Sequence, residues 1–137
     1  MAQEISLKSL LVPSKSVEVE YPGMDGFNIT LGFISRETLI NIRKKAVKST
    51  FKGRQVQEEF NEELFLELYS EAAIKGWSGL KFKYVNTMVP VDVSQFDPED
   101  NLGYSKENAL MLMRNCGDFD SFISDQVSDL GNFSKSN

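Results

Sequence analysis

The sequence predicts a single α+β domain that is mostly helical. Two observations favour this class: short runs of alternating apolar and polar residues near the N-terminus, and longer segments with helical spacing after residue 35. The chain has 137 residues, of which 41% are hydrophobic, so it can bury one sizeable core. We therefore expect one domain over 1–137, with a β-hairpin over about 16–33 followed by about four helices.

The N-terminal part of the chain has the pattern of a β-hairpin. The stretch SVEVEY (16–21) alternates strictly, and FNITLGF (27–33) alternates again. Between them, PGMDG (22–26) supplies the glycine, proline and aspartate that form tight turns. Upstream, ISLKSLLV (5–12) is a candidate edge strand, which Pro13 would end.

The first two helices are predicted over 36–49 and 55–75. Ser35 is a good N-cap for the first helix, and Gly53 separates the two. The second helix should end before Gly76, which is a suitable residue to follow a helix C-terminus. This helix is predicted to be amphipathic. Its apolar stripe consists of Val56, Phe60, Leu64 and Leu68. Its acidic surface consists of Glu58, Glu59, Glu62, Glu63, Glu67 and Glu71.

Two further helices are predicted over 105–116 and 118–130. Ser105 is the expected N-cap of the first, and Asp118 is the expected N-cap of the second.

The remaining segments have no strong period. Residues 76–103 are expected to be irregular, with one short candidate strand within 82–93. Residues 131–137 are expected to form a short flexible tail.

The composition argues against most catalytic chemistry. The chain has one cysteine and no histidine, which removes Ser-His-Asp and Cys-His catalysis and most zinc sites. No glycine-rich nucleotide-binding motif is present, and the acidic residues near 92–100 lack the spacing of a calcium loop. We therefore predict no catalytic site, no metal and no cofactor. An enzyme that depends on carboxylates is the alternative from another class, and it predicts a gain in thermal stability with a divalent metal.

Charge and hydropathy limit the partners of the protein. A net charge of −5 repels phosphate backbones, so nucleic acid is a poor partner for the chain as a whole. No apolar run approaches the 18 residues that a membrane-spanning helix needs. The N-terminus lacks the basic and apolar regions of a signal peptide. These features predict a protein without a membrane partner in a reducing cytoplasm.

A basic cluster stands out in this acidic chain. It contains Arg43, Lys44, Lys45, Lys48, Lys52 and Arg54. One interpretation is a docking patch for an acidic partner or RNA, with Arg43, Lys44 and Lys48 as its candidate contacts. The alternative is a solvated helix face that pairs with the glutamates of the next helix.

Two apolar features are candidate partner surfaces. The predicted helix 105–116 is apolar on more than one side, because Leu110, Met111 and Met113 follow one another closely. It is either a partner surface, for which methionine is well suited, or a helix buried between two others. Trp77 and Leu80 lie beside Gly76 and Gly79 in IKGWSGL, where the indole is either a plug in the core or an anchor for a partner.

The order of these features resembles the tail assembly chaperones of long-tailed, siphovirus-like bacteriophages. The resemblance consists of a helix that leads into I-x-x-W-x-G-L, an aromatic–Ser–x–Glu–Asn helix start, and a last helix that ends near Asn-Phe. The matching positions are Ile74, Trp77, Gly79, Leu80, Tyr104, Ser105, Glu107, Asn108, Leu110, Leu112, Phe122, Ile123, Asn132 and Phe133. The N-terminal YPGMDGFNITLGFISRETL is also similar to the start of that family.

The resemblance implies a non-enzymatic role in phage tail morphogenesis. Such chaperones keep the tape-measure protein soluble and recruit tail-tube subunits in the host cytoplasm, and they are not expected in the mature virion. The partners implied are the tape-measure and tail-tube proteins, with self-association left open. The alternative within the same setting is a structural tail subunit, such as a terminator or connector, that is retained in the virion.

Overall fold

The computed structural model describes residues 4–11 and 15–134, and within them the chain folds into an α+β structure with helices as the larger share. The helices are α1 (Leu7–Leu10), α2 (Arg36–Lys45), α3 (Glu62–Ala73), α4 (Phe82–Met88), α5 (Lys106–Asn115), α6 (Gly117–Ser128) and α7 (Leu130–Ser134). The strands are β1 (Ser16–Glu20), β2 (Asn28–Gly32), β3 (Val47–Lys52), β4 (Gln55–Phe60) and β5 (Ile74–Ser78). The predicted fold class is confirmed.

The N-terminal hairpin forms as the alternation predicts. β1 and β2 pair antiparallel, with Val17 opposite Leu31 and Val19 opposite Ile29. Paired residues share one face of a sheet, so these four apolar side chains all point towards the core. Leu31 and Ile29 are fully buried there.

A third strand follows directly from a helix. The sequence predicted that the helix over 55–75 would continue to residue 75, but α3 ends at Ala73 and the chain continues as β5. β5 pairs antiparallel with β2, which gives a three-stranded sheet in the order β1-β2-β5. Gly76 favours the end of a helix here, and pairing with β2 then fixes residues 74–78 as a strand.

A second hairpin replaces the ends of two predicted helices. The helix predicted over 36–49 ends at Lys45, and the first six residues of the helix predicted over 55–75 are strand. β3 and β4 pair antiparallel across a turn at Gly53, which has a φ of +68°. The backbone N–H of Asn61 donates to the carbonyl oxygen of Ala46 at 2.7 Å and closes the base of this hairpin.

The C-terminal helices lie close to their predicted positions. α5 begins after Ser105, whose side chain accepts a hydrogen bond from the N–H of Asn108. α6 begins at Gly117, so Cys116 rather than the predicted Asp118 holds the N-cap position.

Three other segments differ from their predictions. The candidate edge strand over 5–12 contains the short helix α1, although residue 12 lies outside the described residues. The candidate strand within 82–93 is replaced by helix α4. The predicted flexible tail begins as helix α7, which buries Phe133 completely, and residues 135–137 lie outside the described residues.

The core lies between the three-stranded sheet and the helices. α3 packs against α5, and α6 packs against both α5 and β2. The largest fully buried apolar side chains of the core are Phe27, Phe119, Phe133, Ile29, Leu31, Ile74, Leu80, Ile123 and Val127. Within the described residues, no helix has the length and apolar character needed to cross a bilayer.

Candidate partner-binding surfaces

Trp77 is held by the core of its own chain. It lies on β5 opposite the buried Ile29, which directs the indole towards the interior. Its Nε1–H donates a hydrogen bond of 3.0 Å to the carbonyl oxygen of Leu102. Its ring makes edge-to-face contacts with Phe27 at 6.1 Å and Tyr104 at 5.2 Å between centroids. These contacts support the core-plug interpretation of the indole.

The other predicted apolar contacts divide between core and surface. Leu80 is fully buried and Met113 is 3% exposed, so both contribute to the core. Leu110 is half-buried. Met111 is 36% exposed and is the large apolar side chain that helix α5 offers to a partner. The helix thus combines the two interpretations, since one side is buried and the side at Met111 is open.

Met111 forms one wall of an apolar groove. The segment that follows α4 forms the opposite wall, where Val91 is 40% exposed. The groove has a volume of about 350 Å³. Its lining residues are Val85, Val89, Pro90, Val91, Leu102, Asn108, Met111, Leu112 and Asn115. Because the lining is mainly aliphatic with two asparagines, the groove suits an apolar side chain with a polar neighbour.

The basic cluster is exposed and divided between two elements. Arg43 and Lys44 lie in the last turn of α2, where positive charge is favourable for the helix dipole, and Lys48 lies on β3. Within the described residues, Lys52 alone of the six cluster members forms an ion pair, with Glu59 at 3.3 Å across the hairpin. The predicted pairing of the cluster with an acidic helix is therefore limited to one pair on neighbouring strands.

A second groove lies at the base of the β3–β4 hairpin. Phe60 and Phe65 contact each other there, with ring centroids 5.6 Å apart. The groove has a volume of about 720 Å³ and is lined by Arg43, Phe60, Glu62, Glu63, Phe65, Leu66 and Arg114. The groove thus combines apolar and charged side chains. One of the charged residues, Arg43, is a predicted partner contact.

Sequence reasoning missed the apolar face of the β3–β4 hairpin. Four of its side chains are strongly exposed: Val47 at 37%, Phe51 at 78%, Val56 at 58% and Phe60 at 51%. The available signal was the alternation of VKSTFK followed by Gly53, which resembles a strand that enters a turn. The short N-terminal helix α1 and its neighbours also expose apolar side chains, namely Ile5, Leu7, Leu10 and Leu11.

One residue of the acidic segment 97–100, Glu99, forms two ion pairs. Glu99 contacts Lys81 and Lys83, each at 2.8 Å. The hydrogen bonds from these two ammonium groups lower the pKa of Glu99 to about 2. In the described part of the chain, no group of three or more His, Cys, Asp or Glu side chains is arranged to hold a metal ion.

Three of the positions on which the predicted resemblance rests have structural contacts in this chain. Tyr104 donates its hydroxyl hydrogen to the carbonyl oxygen of Ile74 at 3.1 Å, which ties the start of α5 to β5. Gly79 has a φ of +76° and packs against the backbone of Gly26. The side chain of Asn132 donates to Gln126 on α6. These three residues therefore contribute to holding the fold together.

The described surfaces are apolar grooves and charged patches on an α+β fold. The sequence pattern of the YdaY prophage protein family matches residues 36–137, and the chain belongs to this family. It is thus a phage-related protein, and the matched region contains the β3–β4 hairpin and both grooves. Searches of curated proteins and of solved structures gave no match.

Proposed function

We propose that the protein is a non-enzymatic tail assembly chaperone. In this role it keeps the phage tape-measure protein soluble and recruits tail-tube subunits in the host cytoplasm, and it leaves before the virion is complete. Membership of a prophage protein family supports the phage setting of this proposal. The resemblance at Ile74, Trp77 and Gly79 supports a common fold with the chaperones, because these residues have structural roles here.

The observation that carries the proposal is the open apolar groove beside Met111. A long helical partner that is insoluble alone needs its apolar stripe covered, and a groove of this kind accepts side chains from such a stripe. Methionine is unbranched and flexible, so Met111 can adapt to successive side chains of different shape. Val91 extends the apolar surface on the opposite wall.

A second contact is offered by the exposed cations of the basic cluster. Arg43 lines the groove at the base of the β3–β4 hairpin, while Lys44 and Lys48 lie in the adjoining turn of α2 and on β3. A partner with acidic side chains would bind here with an affinity that falls as salt concentration rises. We assign this patch to the recruitment of a second tail component.

The test is co-expression of the tagged chain with the tape-measure and tail-tube proteins of its own genome. The informative variant is Met111→Glu, which places a charge in the apolar groove. The matched control is Lys106→Glu, which introduces the same side chain on an exposed position of α5 outside the groove. Met113 and Trp77 are unsuitable for this purpose, because their replacement would damage the core.

The expected result is that the wild type and Lys106→Glu keep the tape-measure protein in the soluble fraction, while Met111→Glu loses it and stays folded. If the wild type captures neither tail protein, the chaperone proposal is wrong. Mass spectrometry of purified virions is a second test, which distinguishes a chaperone from a subunit that stays in the tail. A fixed number of copies in finished particles would instead support a terminator or connector that remains in the tail.

A further inference from the structure

The β3–β4 hairpin has one polar face and one face that is mainly apolar. Residues that are directly opposite each other in an antiparallel pair share a face. Val47 is opposite Phe60 and Phe51 is opposite Val56, which places four apolar side chains on one side. The middle pair on this side, Ser49–Glu58, is polar. The polar face consists of the pairs Lys48–Glu59, Thr50–Gln57 and Lys52–Gln55. In the described part of the chain, every hairpin side chain except the half-buried Thr50 is exposed.

The hairpin is also a sheet of only two strands. Among the described residues, neither β3 nor β4 has a further partner strand, so each presents an open edge. A two-stranded hairpin is at best marginally stable in water, and an open edge with apolar side chains is a template for another strand. The hairpin therefore has the properties of an element that is completed by association.

Charge is divided sharply between the two strands and their flanks. Residues 43–54 contain six basic residues and no acidic residue. Residues 55–63 contain four acidic residues and no basic residue, namely Glu58, Glu59, Glu62 and Glu63. One edge of the hairpin is therefore basic and the other is acidic.

We propose that the hairpin is completed by a second copy of this chain, with β3 of one copy pairing antiparallel with the β4 of the next. This arrangement repeats between copies the pairing that exists within the hairpin. In the same register, Lys48 would face Glu59 of the next copy, as it faces its own Glu59. Opposite charges on neighbouring strands stabilise such a pair, whereas like charges destabilise it.

The charge division selects against a simple dimer. Two copies that pair through β3 would bring Lys48 and Lys52 against the same lysines, and pairing through β4 would bring glutamates together. Pairing of β3 with β4 uses two different surfaces on each copy, so every bound copy leaves another edge open. Such contacts produce rings or open chains rather than closed dimers. The mainly apolar faces of successive hairpins then lie side by side, with Val47, Phe51, Val56 and Phe60 of each copy on the same side.

The test compares the mass of the full chain across a concentration series by sedimentation velocity, using charge variants. An acidic variant carries Lys48→Glu and Lys52→Glu, and a basic variant carries Glu58→Lys and Glu59→Lys. A swapped variant carries all four changes, which restores opposite charges within the hairpin and between copies. Near-ultraviolet circular dichroism of Trp77 reports whether the body stays folded, because this indole lies in the core and outside the hairpin.

We expect the wild type and the swapped variant to form species larger than a dimer as concentration rises. The acidic and basic variants should each stay monomeric alone and associate when they are mixed in equal amounts. A wild type that remains monomeric up to its solubility limit, or that stops at a dimer, overturns the proposal. Association of either charge variant alone, or a monomeric mixture, also overturns it, because another surface or another force would then be responsible. The result does not depend on capture of the tape-measure protein, so this proposal and the chaperone role can fail separately.

Discussion

The indole Nε1–H of Trp77 donates a 3.0 Å hydrogen bond to the carbonyl oxygen of Leu102, although 25 residues separate the two in sequence. This bond joins β5 to the segment that leads into α5. The side chain of Tyr104 makes a second link in the same place, through its hydroxyl group and the carbonyl of Ile74. The two aromatic residues thus connect the sheet to the C-terminal helices.

The first prediction concerns removal of the Trp77 indole. Trp77→Ala should lower the free energy of unfolding by about 3–5 kcal/mol, because it removes a large side chain from contact with Phe27 and Tyr104. Trp77→Phe should cost less, about 1–3 kcal/mol, since the ring is largely kept but the carbonyl of Leu102 loses its donor. Urea unfolding followed by circular dichroism measures both. If Trp77→Ala has the same free energy of unfolding as the wild type, the indole is not part of the core.

The second prediction concerns the close approach of Gly79 to Gly26. A methyl group on Gly79 would overlap the carbonyl oxygen of Gly26, and the φ of +76° is unfavourable for any other residue. Gly79→Ala should therefore destabilise the protein by about 2–4 kcal/mol. Gly76→Ala is the control, because nothing lies within 4 Å of the position of its added methyl group. Equal melting temperatures for the two variants would contradict this account.

Local sequence signals were sufficient to predict the secondary structure where they agreed with the final packing. The β1–β2 hairpin was predictable because both strands alternate strictly and the turn between them is rich in glycine. α2 and α5 were predictable because Ser35 and Ser105 are true N-caps that accept hydrogen bonds from the N–H of Thr38 and Asn108.

Local signals failed where pairing between distant segments decides the structure. Residues 55–60 contain two glutamates and two glutamines, all good helix formers, yet they form β4 because β3 lies beside them. Ile74 and Lys75, predicted as the end of a helix, and residues 76–78, predicted as irregular, form β5 because β2 offers an open edge. Single-sequence patterns do not contain this information.

The candidate partner residues show the same limit. Apolar spacing in α5 indicated a surplus of apolar surface, but only the packing of α3 and α6 decides that Met113 is buried and Met111 is open. Likewise, Trp77 and Leu80 could be placed beside Gly76 and Gly79, but the sequence did not show that Trp77 lies on a strand opposite a buried residue or that Leu80 is fully buried. The exposed cations Arg43, Lys44 and Lys48 were predictable as surface residues because charged side chains are seldom buried.

The third prediction concerns the C-terminal helix α7. Phe133 is fully buried, and its ring lies 5.3 Å from that of Phe33 between centroids. Phe133→Ala should lower the free energy of unfolding by about 3–5 kcal/mol, because it leaves a cavity in the core. Leu130→Ala on the same helix is the matched control, since Leu130 is 55% exposed, and it should change stability by no more than about 0.5 kcal/mol. If Phe133→Ala behaves like this control in thermal unfolding, α7 does not contribute to the core.

The fourth prediction concerns the pH dependence that Glu99 imparts. The pKa of this carboxyl falls from 4.5 to about 2 because Lys81 and Lys83 donate hydrogen bonds to it. A lowered pKa in the folded state means that the ionised form is stabilised by folding. The contribution is therefore fully present above pH 4.5 and is lost as the pH falls from 4.5 towards 2.

Glu99→Gln should accordingly melt at a lower temperature than the wild type at pH 7, and the two curves should converge as the pH approaches 2. The effect at pH 7 will be small, because the three side chains are partly exposed and water screens their attraction. The control is Lys81→Gln/Lys83→Gln, in which the neutral partners remove the cause of the shift. Adding Glu99→Gln to that double variant should leave its melting temperature unchanged from pH 2 to pH 7. A constant difference between Glu99→Gln and the wild type over this range would mean that the Glu99 carboxylate does not stabilise the fold through its charge.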